Sequence, residues 1–248
     1  MIITGLTGSI HHGKTTFADL LAGQARSAAH IESWELVAEV ANALHASGPQ
    51  PAVNDIDAIN EWLVPLADIV ATHAHSRIDF ASIRIVPEQL QEHPEYYTKL
   101  FDYLQAMTAD PRLAVADITI ETKEVFRPLL QWLGGYLVIV GGHGIWYDEI
   151  VRRLTNLRSL GYELATVGGV RYPGDAERLR NAGGIILQIE RPDLPDQDAR
   201  DLTERERNLI QPDAIILNNG TLQQLADCAP VVYRDLSLRQ LQPEYNAA

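Results

Sequence analysis

Apolar residues follow two different rhythms along this chain of 248 residues. Short, nearly continuous apolar runs occur near both ends of the sequence, separated by segments with helical spacing, and such runs predict strands buried on both faces. The predicted strands are 1–3, 28–31, 162–167, 185–189 and 214–217. Because these strands recur with helices between them, we expect an α/β fold with a parallel sheet that is covered on both sides.

The middle of the chain has helical periodicity instead. The helices predicted there are 33–44, 56–73, 96–107 and 119–133, and others are expected over 16–22, over 174–181 and from Thr221. Pro65 should kink or divide the second of them, and Gly134-Gly135 should end the fourth. A helical block from 33 to about 160 is too long for a crossover, which predicts an insertion. The expected organisation is a discontinuous core of 1–32 and 160–230, a helical insertion of 33–159 and a C-terminal tail of 231–248.

Composition narrows the class of protein. Hydrophobic residues make up 46% and charged residues 21% of the chain, which is ordinary for a globular protein. A single cysteine, Cys228, excludes an internal disulfide and fits a reducing compartment. No signal peptide and no apolar stretch of membrane-spanning length is evident, so we expect a soluble, cytoplasmic protein without a membrane partner. A net charge of −13 argues against nucleic acid as the main partner.

One loop carries recognisable chemistry. Residues 8–15, GSIHHGKT, match the pattern G-x-x-x-x-G-K-[ST], follow the first predicted strand and run into the first predicted helix. In that context the backbone amides cradle a phosphate, Lys14 reaches the β- and γ-phosphates, and the Thr15 hydroxyl ligates Mg²⁺. The sequence therefore predicts a nucleoside triphosphate site formed by Gly8, Ser9, His11, His12, Gly13, Lys14, Thr15 and Thr16.

Four further segments support a more specific interpretation. They are VGGVRYPGDAE at 167–177, GGIILQIERP at 183–192, DAIILNNGTL at 213–222 and FRPLLQWLG at 126–134. Together with the phosphate loop they resemble the deoxynucleoside monophosphate kinases, among the P-loop nucleoside and nucleotide kinases, and dephospho-coenzyme A kinases share the same plan. The resemblance covers 1–32 and about 119–226. It implies the three-layer P-loop NTPase fold, with a parallel sheet and a large helical insertion that binds the phosphoryl acceptor.

The resemblance also implies an activity and the residues that serve it. The activity would be transfer of the ATP γ-phosphate to a nucleoside monophosphate, a small-molecule nucleotide substrate, with Mg²⁺. Lys14 and Arg171 would contact phosphates at the reaction centre. Arg191, Arg200 and Arg205 are candidates for a lid that closes over the transferring group, and Arg191 is also assigned a catalytic role. Residues that would face the acceptor are Arg127, Gln131 and Trp132, although a core position for Trp132, as for the other tryptophans, stays open.

One departure from the family pattern leaves two other functions open. Gly169 stands where the family has the acidic residue that helps to hold Mg²⁺. A carboxylate from a nearby turn could replace it, and the candidates are Asp175, Glu177, Glu32 and Glu35. The alternative is a nucleotide-binding protein of regulatory or interaction type that has lost efficient phosphoryl transfer. A nucleotide-hydrolysing switch or motor ranks last, because no apolar strand clearly ends in the aspartate that such proteins need.

Overall fold

A computed structural model describes residues 1–92, 94–142, 144–194 and 202–241. The architecture is α/β, with one sheet of five parallel strands, which confirms the expected class. The strands are β1 (Ile2–Thr7), β2 (Ala28–Glu32), β3 (Leu164–Gly168), β4 (Ile185–Glu190) and β5 (Ala214–Leu217). Their order in the sheet is β2-β3-β1-β4-β5, and Ile2 of the central strand pairs with Leu164 of β3.

Helices connect these strands and build the middle of the chain. The helices are α1 (Lys14–Ala22), α2 (Ser33–Ala46), α3 (Ile56–Leu63), α4 (Leu66–His73), α5 (Phe80–Ile83), α6 (Pro87–Glu92), α7 (Pro94–Ala109), α8 (Arg127–Gly141), α9 (Gly144–Ser159), α10 (Pro173–Asn181), α11 (Leu202–Arg207) and α12 (Leu222–Leu241). A short 3-10 turn, Leu113–Val115, follows α7. None of the described helices combines the length and the apolar character needed to cross a membrane.

Two predictions about helix ends have different outcomes. The division at Pro65 is confirmed, because α3 ends at Leu63 and α4 begins at Leu66. The helix predicted over 119–133 is wrong at both ends. It begins only at Arg127, because 119–126 form turns closed by threonine hydroxyls and a proline occupies the first turn of α8. It then continues through Gly134-Gly135 to Gly141, because its buried side extends over Tyr136, Leu137 and Val138.

The chain forms two compact units, 1–33 with 150–248 and 34–149. The second boundary lies ten residues before the predicted one, since α9 was not predicted and its last part belongs to the first unit. The tail predicted from residue 231 is instead helical as far as Leu241. Its Leu236 is 2% exposed and belongs to the core of the first unit, which explains why this segment is ordered into the helix.

The core of the first unit has helices on both faces of the sheet. Ile2 and Leu6 of β1 pack with apolar residues of α1 and α12. Gly5, which points to the opposite face, is approached by Leu179 of α10. Because alternate residues of a strand point to opposite faces, β1 is covered on both sides, and all six of its residues are buried.

The core of the second unit is rich in aromatic side chains. Trp132 is fully buried and stacks on Tyr136, with ring centroids 5.5 Å apart. Tyr97 donates a hydrogen bond of 2.8 Å to the Tyr136 hydroxyl, and burial raises the pKa of Tyr97 far above its ordinary value. Both hydroxyls therefore stay protonated and act as neutral partners inside the core.

Candidate functional site

The loop of residues 8–15 lies at the point where the sheet changes its direction of winding. β1 has β3 on one side and β4 on the other. The crossover after β1 leads to the β3 side of the sheet, whereas the crossover after β3 leads to the β4 side, and right-handed connections therefore leave on opposite faces. In open α/β sheets, ligands bind at the carboxyl ends of the strands at such a point. The loop that follows Thr7 occupies this position.

Two glycines close the loop against the neighbouring strand ends. Gly8 and Gly13 have φ of 135° and 94°, a region that favours glycine. A Cβ on Gly8 would overlap the carbonyl oxygen of Ile189 at the end of β4. A Cβ on Gly13 would lie 2.6 Å from Nδ2 of Asn218, which follows β5. The predicted glycines are therefore required by close backbone packing as well as by the curl of the loop.

The N-terminus of α1 opens directly from this loop. Gly13 is its cap residue, no side chain caps the helix, and its first turn contains no acidic residue. The first amides of a helix have no intrahelical acceptor, so α1 offers N–H donors and the positive end of its dipole to an anion. Lys14 Nζ donates to the carbonyl oxygens of Gly8 and Ser9, both at 2.8 Å, which holds the ammonium at the loop.

The Glu32 carboxylate, at the end of β2, contacts the Thr15 hydroxyl, which the sequence predicts as a ligand of Mg²⁺. Thr15 Oγ1 donates to Glu32 Oε1 at 3.2 Å, and His30 Nε2 lies 2.9 Å from the same oxygen. The other ring nitrogen of His30 is 2.6 Å from the Thr166 hydroxyl. Burial opposes charge on Glu32, but the hydrogen bond and charge of His30, the Thr15 hydroxyl and the charge of Lys14 together hold its pKa below the ordinary value. Glu32 is therefore a carboxylate at neutral pH.

Two glycines at the end of β3 make room for the residues at the end of β2. A Cβ on Gly168 would overlap the Glu32 carboxylate. Gly169 has φ of 75°, and a Cβ there would overlap the hydroxyl of Ser33, which donates to the Gly169 carbonyl at 3.2 Å. An acidic residue at 169 would thus need a strained backbone and a displaced Ser33 hydroxyl, and the Glu32 carboxylate fills the space beside it.

The other three candidate carboxylates have different surroundings. Asp175 is buried and accepts hydrogen bonds from the backbone N–H groups of Tyr172 and Arg171 at 3.1 and 3.4 Å, which caps α10. Burial raises the pKa of Asp175 to about 7 despite those two hydrogen bonds. Glu177 is exposed on α10, and Glu35 is exposed in the second unit. Among these four, Glu32 is the carboxylate that contacts Thr15 in the described part of the chain.

His12 anchors the loop to the ends of β4 and β5. Its Nδ1 accepts a hydrogen bond of 3.2 Å from the backbone N–H of Arg191, and its carbonyl accepts one of 3.0 Å from Asn218 Nδ2. The His12 ring is 6% exposed, whereas His11 is exposed with φ of 66°. Arg191 is thereby fixed next to the loop, while its side chain pairs with Asp193 at 3.3 Å. The exposed Arg171 follows β3 at the same edge.

An arginine that was not selected from the sequence contacts the loop through its side chain. Arg207, on α11, is 9% exposed, and its Nη1 donates to Ser9 Oγ at 2.6 Å. Arg205 is exposed, and the lid candidate Arg200 lies outside the described residues. Residues two apart on a helix point about 200° away from each other, so only one of Arg205 and Arg207 can face the loop. Spacing alone could not decide which one.

The predicted acceptor residues lie in the second unit. Arg127 begins α8 and pairs with Glu124 through Nε at 2.8 Å, and Gln131 is half-buried. Trp132 has no exposed surface and stacks on Tyr136, so it is a core residue and its ring is not presented to a ligand. The expectation of a contact between Trp132 and an acceptor is therefore not met, while the roles of Arg127 and Gln131 remain predictions.

Position in the sheet is the signal that could have selected Glu32. It directly follows the strand predicted over 28–31, and carboxyl ends of parallel strands lie at one edge. Asn218 follows the last predicted strand in the same way.

No protein-family model matches this chain, and no curated protein is significantly similar to it. Function is therefore inferred from the site itself.

Proposed function

We propose that this protein binds ATP with Mg²⁺ at residues 8–15 and transfers the γ-phosphoryl group to a nucleoside monophosphate or a similar small phosphorylated acceptor. The observation that carries the proposal is the meeting of three groups at one sheet edge: the uncapped N-terminus of α1, the ammonium of Lys14, and the Thr15–Glu32 pair. The parallel sheet with helices on both faces supports the three-layer P-loop NTPase fold.

The oxygen atoms at the start of α1 fit a magnesium ion. Mg²⁺ prefers hard oxygen ligands and usually takes one or two carboxylates together with phosphate oxygens and waters. Thr15 Oγ1 and Glu32 Oε1 are 3.2 Å apart, so both atoms can reach one ion, and the Glu32 carboxylate is ionised. A bound Mg²⁺ would neutralise negative charge on the β- and γ-phosphates.

The protein groups at this edge would act by positioning and by charge. Lys14 would exchange its contacts with two carbonyl oxygens for contacts with phosphate oxygens, and the first amides of α1 would donate to the same phosphates. An acceptor phosphate oxygen attacks the γ-phosphorus, the bond to the β–γ bridging oxygen breaks, and ADP leaves. That acceptor oxygen is already ionised at pH 7, so no protein nucleophile is required. Arg171 and Arg191 would balance the charge of the transferring group.

A second candidate is a nucleotide-binding protein without efficient transfer. The observation that favours it is Gly169, whose positive φ and contact with Ser33 disfavour the acidic residue that the resemblance leads one to expect. This candidate shares the ATP site and differs only in turnover.

Acceptor-dependent ADP release separates the two candidates. Purified protein would be given ATP and Mg²⁺ with each common nucleoside and deoxynucleoside monophosphate, and with dephospho-coenzyme A, and ADP would be measured. Lys14→Ala is the blank, and calorimetry measures ATP binding independently. ADP that depends on an acceptor and disappears in Lys14→Ala supports the kinase. ATP binding without acceptor dependence supports the second candidate, and absence of ATP binding overturns both.

A further inference from the structure

Strand β5 forms one edge of the sheet and is only partly covered. In the order β2-β3-β1-β4-β5, its one neighbouring strand among the described residues is β4. Ala214 and Ile216 of β5 are partly buried, and a groove of about 370 Å³ lies between them and α12. The buried side of α12 packs against α1 and β1 through Leu225, Ala229 and Leu236. The opposite side of α12, next to the groove, is therefore open to another partner.

This outward side of α12 exposes two large apolar side chains. Val231 is 57% and Leu238 54% exposed, and both are walls of the groove. Seven residues make almost two full turns of a helix, so these two side chains lie on the same side of α12. Together with the apolar groove walls they form a continuous surface, and such surfaces mark interaction sites more often than single exposed apolar residues do.

Two opposite charges lie on the same side of the helix as Val231. Asp227 is four residues before Val231 and Arg234 is three residues after it, and both are exposed. Residues three or four apart are neighbours on a helix surface, so the three side chains form a row. The charges themselves are seven residues apart, or about 10.5 Å along the helix axis, which is too far for an ion pair within one chain. An ion pair between these two positions requires two chains.

The row has the symmetry that a two-fold dimer needs. A two-fold interface uses the same patch on both copies, so the patch must be complementary to itself. When two copies of α12 lie antiparallel about an axis at Val231, the two valines meet, and Asp227 of each copy faces Arg234 of the other. A parallel arrangement would place each charge beside its own copy, and repulsion between like charges disfavours it.

We propose that the protein forms a two-fold dimer in which the row of Asp227, Val231 and Arg234 lies antiparallel against the same row of a second copy. Two ion pairs between the copies flank the contact between the valines. The second α12 also lies over the groove beside β5, so apolar groove walls are removed from water. The interface contains neither Glu32 nor any residue of the loop at 8–15, so it does not depend on the proposed function.

Sedimentation equilibrium of the full chain tests whether the dimer forms. The buffer contains salt at about 0.15 M, where charges more than about 8 Å apart are screened and the net negative charge of the two copies has little effect. The chain has a mass of 27.5 kDa, and the average mass should rise to twice that value with increasing protein concentration. A mass that stays at one chain up to about 100 µM, far above a dissociation constant of about 1 µM, overturns the proposal.

Charge reversal locates the interface. Asp227→Arg and Arg234→Asp each place like charges opposite each other twice in the dimer, so the dissociation constant should rise at least tenfold. The double variant Asp227→Arg/Arg234→Asp restores opposite charges between the copies and should dimerise like the wild type. An equimolar mixture of the two single variants should also recover, as a heterodimer. Because the two positions are two turns apart within one chain, damage confined to the single chain would not be repaired in this way.

Matched controls carry the same charge reversals outside α12. Glu61→Arg and Arg84→Asp are at exposed positions of the second unit, and they should leave the dissociation constant of the dimer unchanged. Wild-type affinity in both single variants of α12 would place the dimer contact elsewhere and overturn the assignment. Loss of the dimer without recovery in the double variant and in the mixture would overturn the antiparallel pairing of Asp227 with Arg234.

Discussion

Glu32 illustrates how a side chain's surroundings decide its role. It is the last residue of β2, partly buried, and such a position would favour the protonated acid if burial acted alone. His30, Thr15 and Lys14 reverse that preference, and the carboxylate faces the hydroxyl at the start of α1. The negative charge that the proposed Mg²⁺ would need thus comes from β2, on the far side of β3 from the loop, while β3 itself contributes glycines.

Glu32→Gln is therefore expected to weaken the magnesium-dependent part of ATP binding. The amide keeps the size of the side chain but cannot offset the charge of Mg²⁺. Calorimetry should show at least a tenfold loss of ATP affinity with Mg²⁺ and little change without it. Glu177→Gln, an exposed carboxylate on α10, is the matched control and should behave like the wild type. Equal affinities of Glu32→Gln and wild type in Mg²⁺ would remove Glu32 from the metal site.

Gly169→Asp, which restores the residue expected from the family pattern, should destabilise the protein instead of improving it. A residue with a side chain at a φ of 75° costs about 1–2 kcal/mol, and overlap with Ser33 adds about 1–3 kcal/mol. Gly183→Asp provides the comparison, because Gly183 has φ of 83° with open space around it. Urea denaturation should show the larger loss for Gly169→Asp, and equal losses would mean that the contact with Ser33 does not matter.

At the scale of elements, the two short helices α10 and α11 are held in place by different interactions. α10 begins after β3, and its first turn is closed by the buried Asp175. α11 sends Arg207 to Ser9 in the loop. In α10, the buried carboxyl group of Asp175 fixes the backbone at the start of the helix. In α11, Arg207 joins the helix to Ser9 in the loop, although the two residues are 198 positions apart in the sequence.

The buried Asp175 should make stability depend on pH. Its pKa is about 7 in the folded protein and about 3.9 in an unfolded chain, so between these values the folded state binds a proton that the unfolded state has lost. The contribution of Asp175 to the free energy of unfolding therefore falls as pH rises from 4 to 7, by at most about 1.4 kcal/mol per pH unit, and is constant above. Asp175→Asn lacks this dependence. Its stability relative to wild type, from urea denaturation, should rise between pH 4 and 7, and parallel profiles would contradict the shifted pKa.

Arg207 should contribute to nucleotide binding by holding the loop. Arg207→Met keeps much of the buried length of the side chain and removes the hydrogen bond to Ser9 Oγ. We expect ATP affinity to fall about tenfold, which corresponds to about 1.4 kcal/mol, the strength of a charge-assisted hydrogen bond. Arg239→Met, at an exposed position of α12, is the control. Similar affinities for the two variants, measured by calorimetry, would exclude this role for Arg207.

At the scale of the whole molecule, negative charge exceeds positive charge by 13, with only three lysines in the chain. One of these is Lys14, so the loop at 8–15 carries a positively charged side chain in a protein that is acidic overall. Such an excess destabilises the folded state by self-repulsion, and salt screens it over about 10 Å at 0.1 M.

Thermal stability should accordingly rise with ionic strength at pH 8. The melting temperature, followed by circular dichroism, should increase between 10 and about 150 mM sodium chloride, where screening becomes effective. Near pH 5, which is close to the isoelectric point of about 5.0, the same addition should have little effect because the net charge is small. A melting temperature that falls with salt at pH 8 would show that attractive charge pairs outweigh the repulsion.

Much of the fold follows from local pattern. Apolar runs predicted the five strands, Pro65 predicted a helix break, and the loop at 8–15 was recognised between strand and helix. These features depend on backbone conformation and on residues within a turn or a strand of one another. Local pattern failed where packing intervenes: α8 continues through Gly134-Gly135 because its buried side extends over Tyr136, Leu137 and Val138.

The sequence by itself therefore determined the parallel α/β class and the position of the loop at 8–15 between a strand and a helix, because both arise from short-range regularities. Only the tertiary structure decided which carboxylate meets Thr15, which arginine of α11 reaches Ser9, and that Trp132 is buried. Glu32 reaches its place because β2 pairs with β3 in a register that sets it opposite Gly168, 136 positions along the chain. Such a pairing depends on the packing of the whole sheet, and it cannot be inferred from the spacing of residues along the chain.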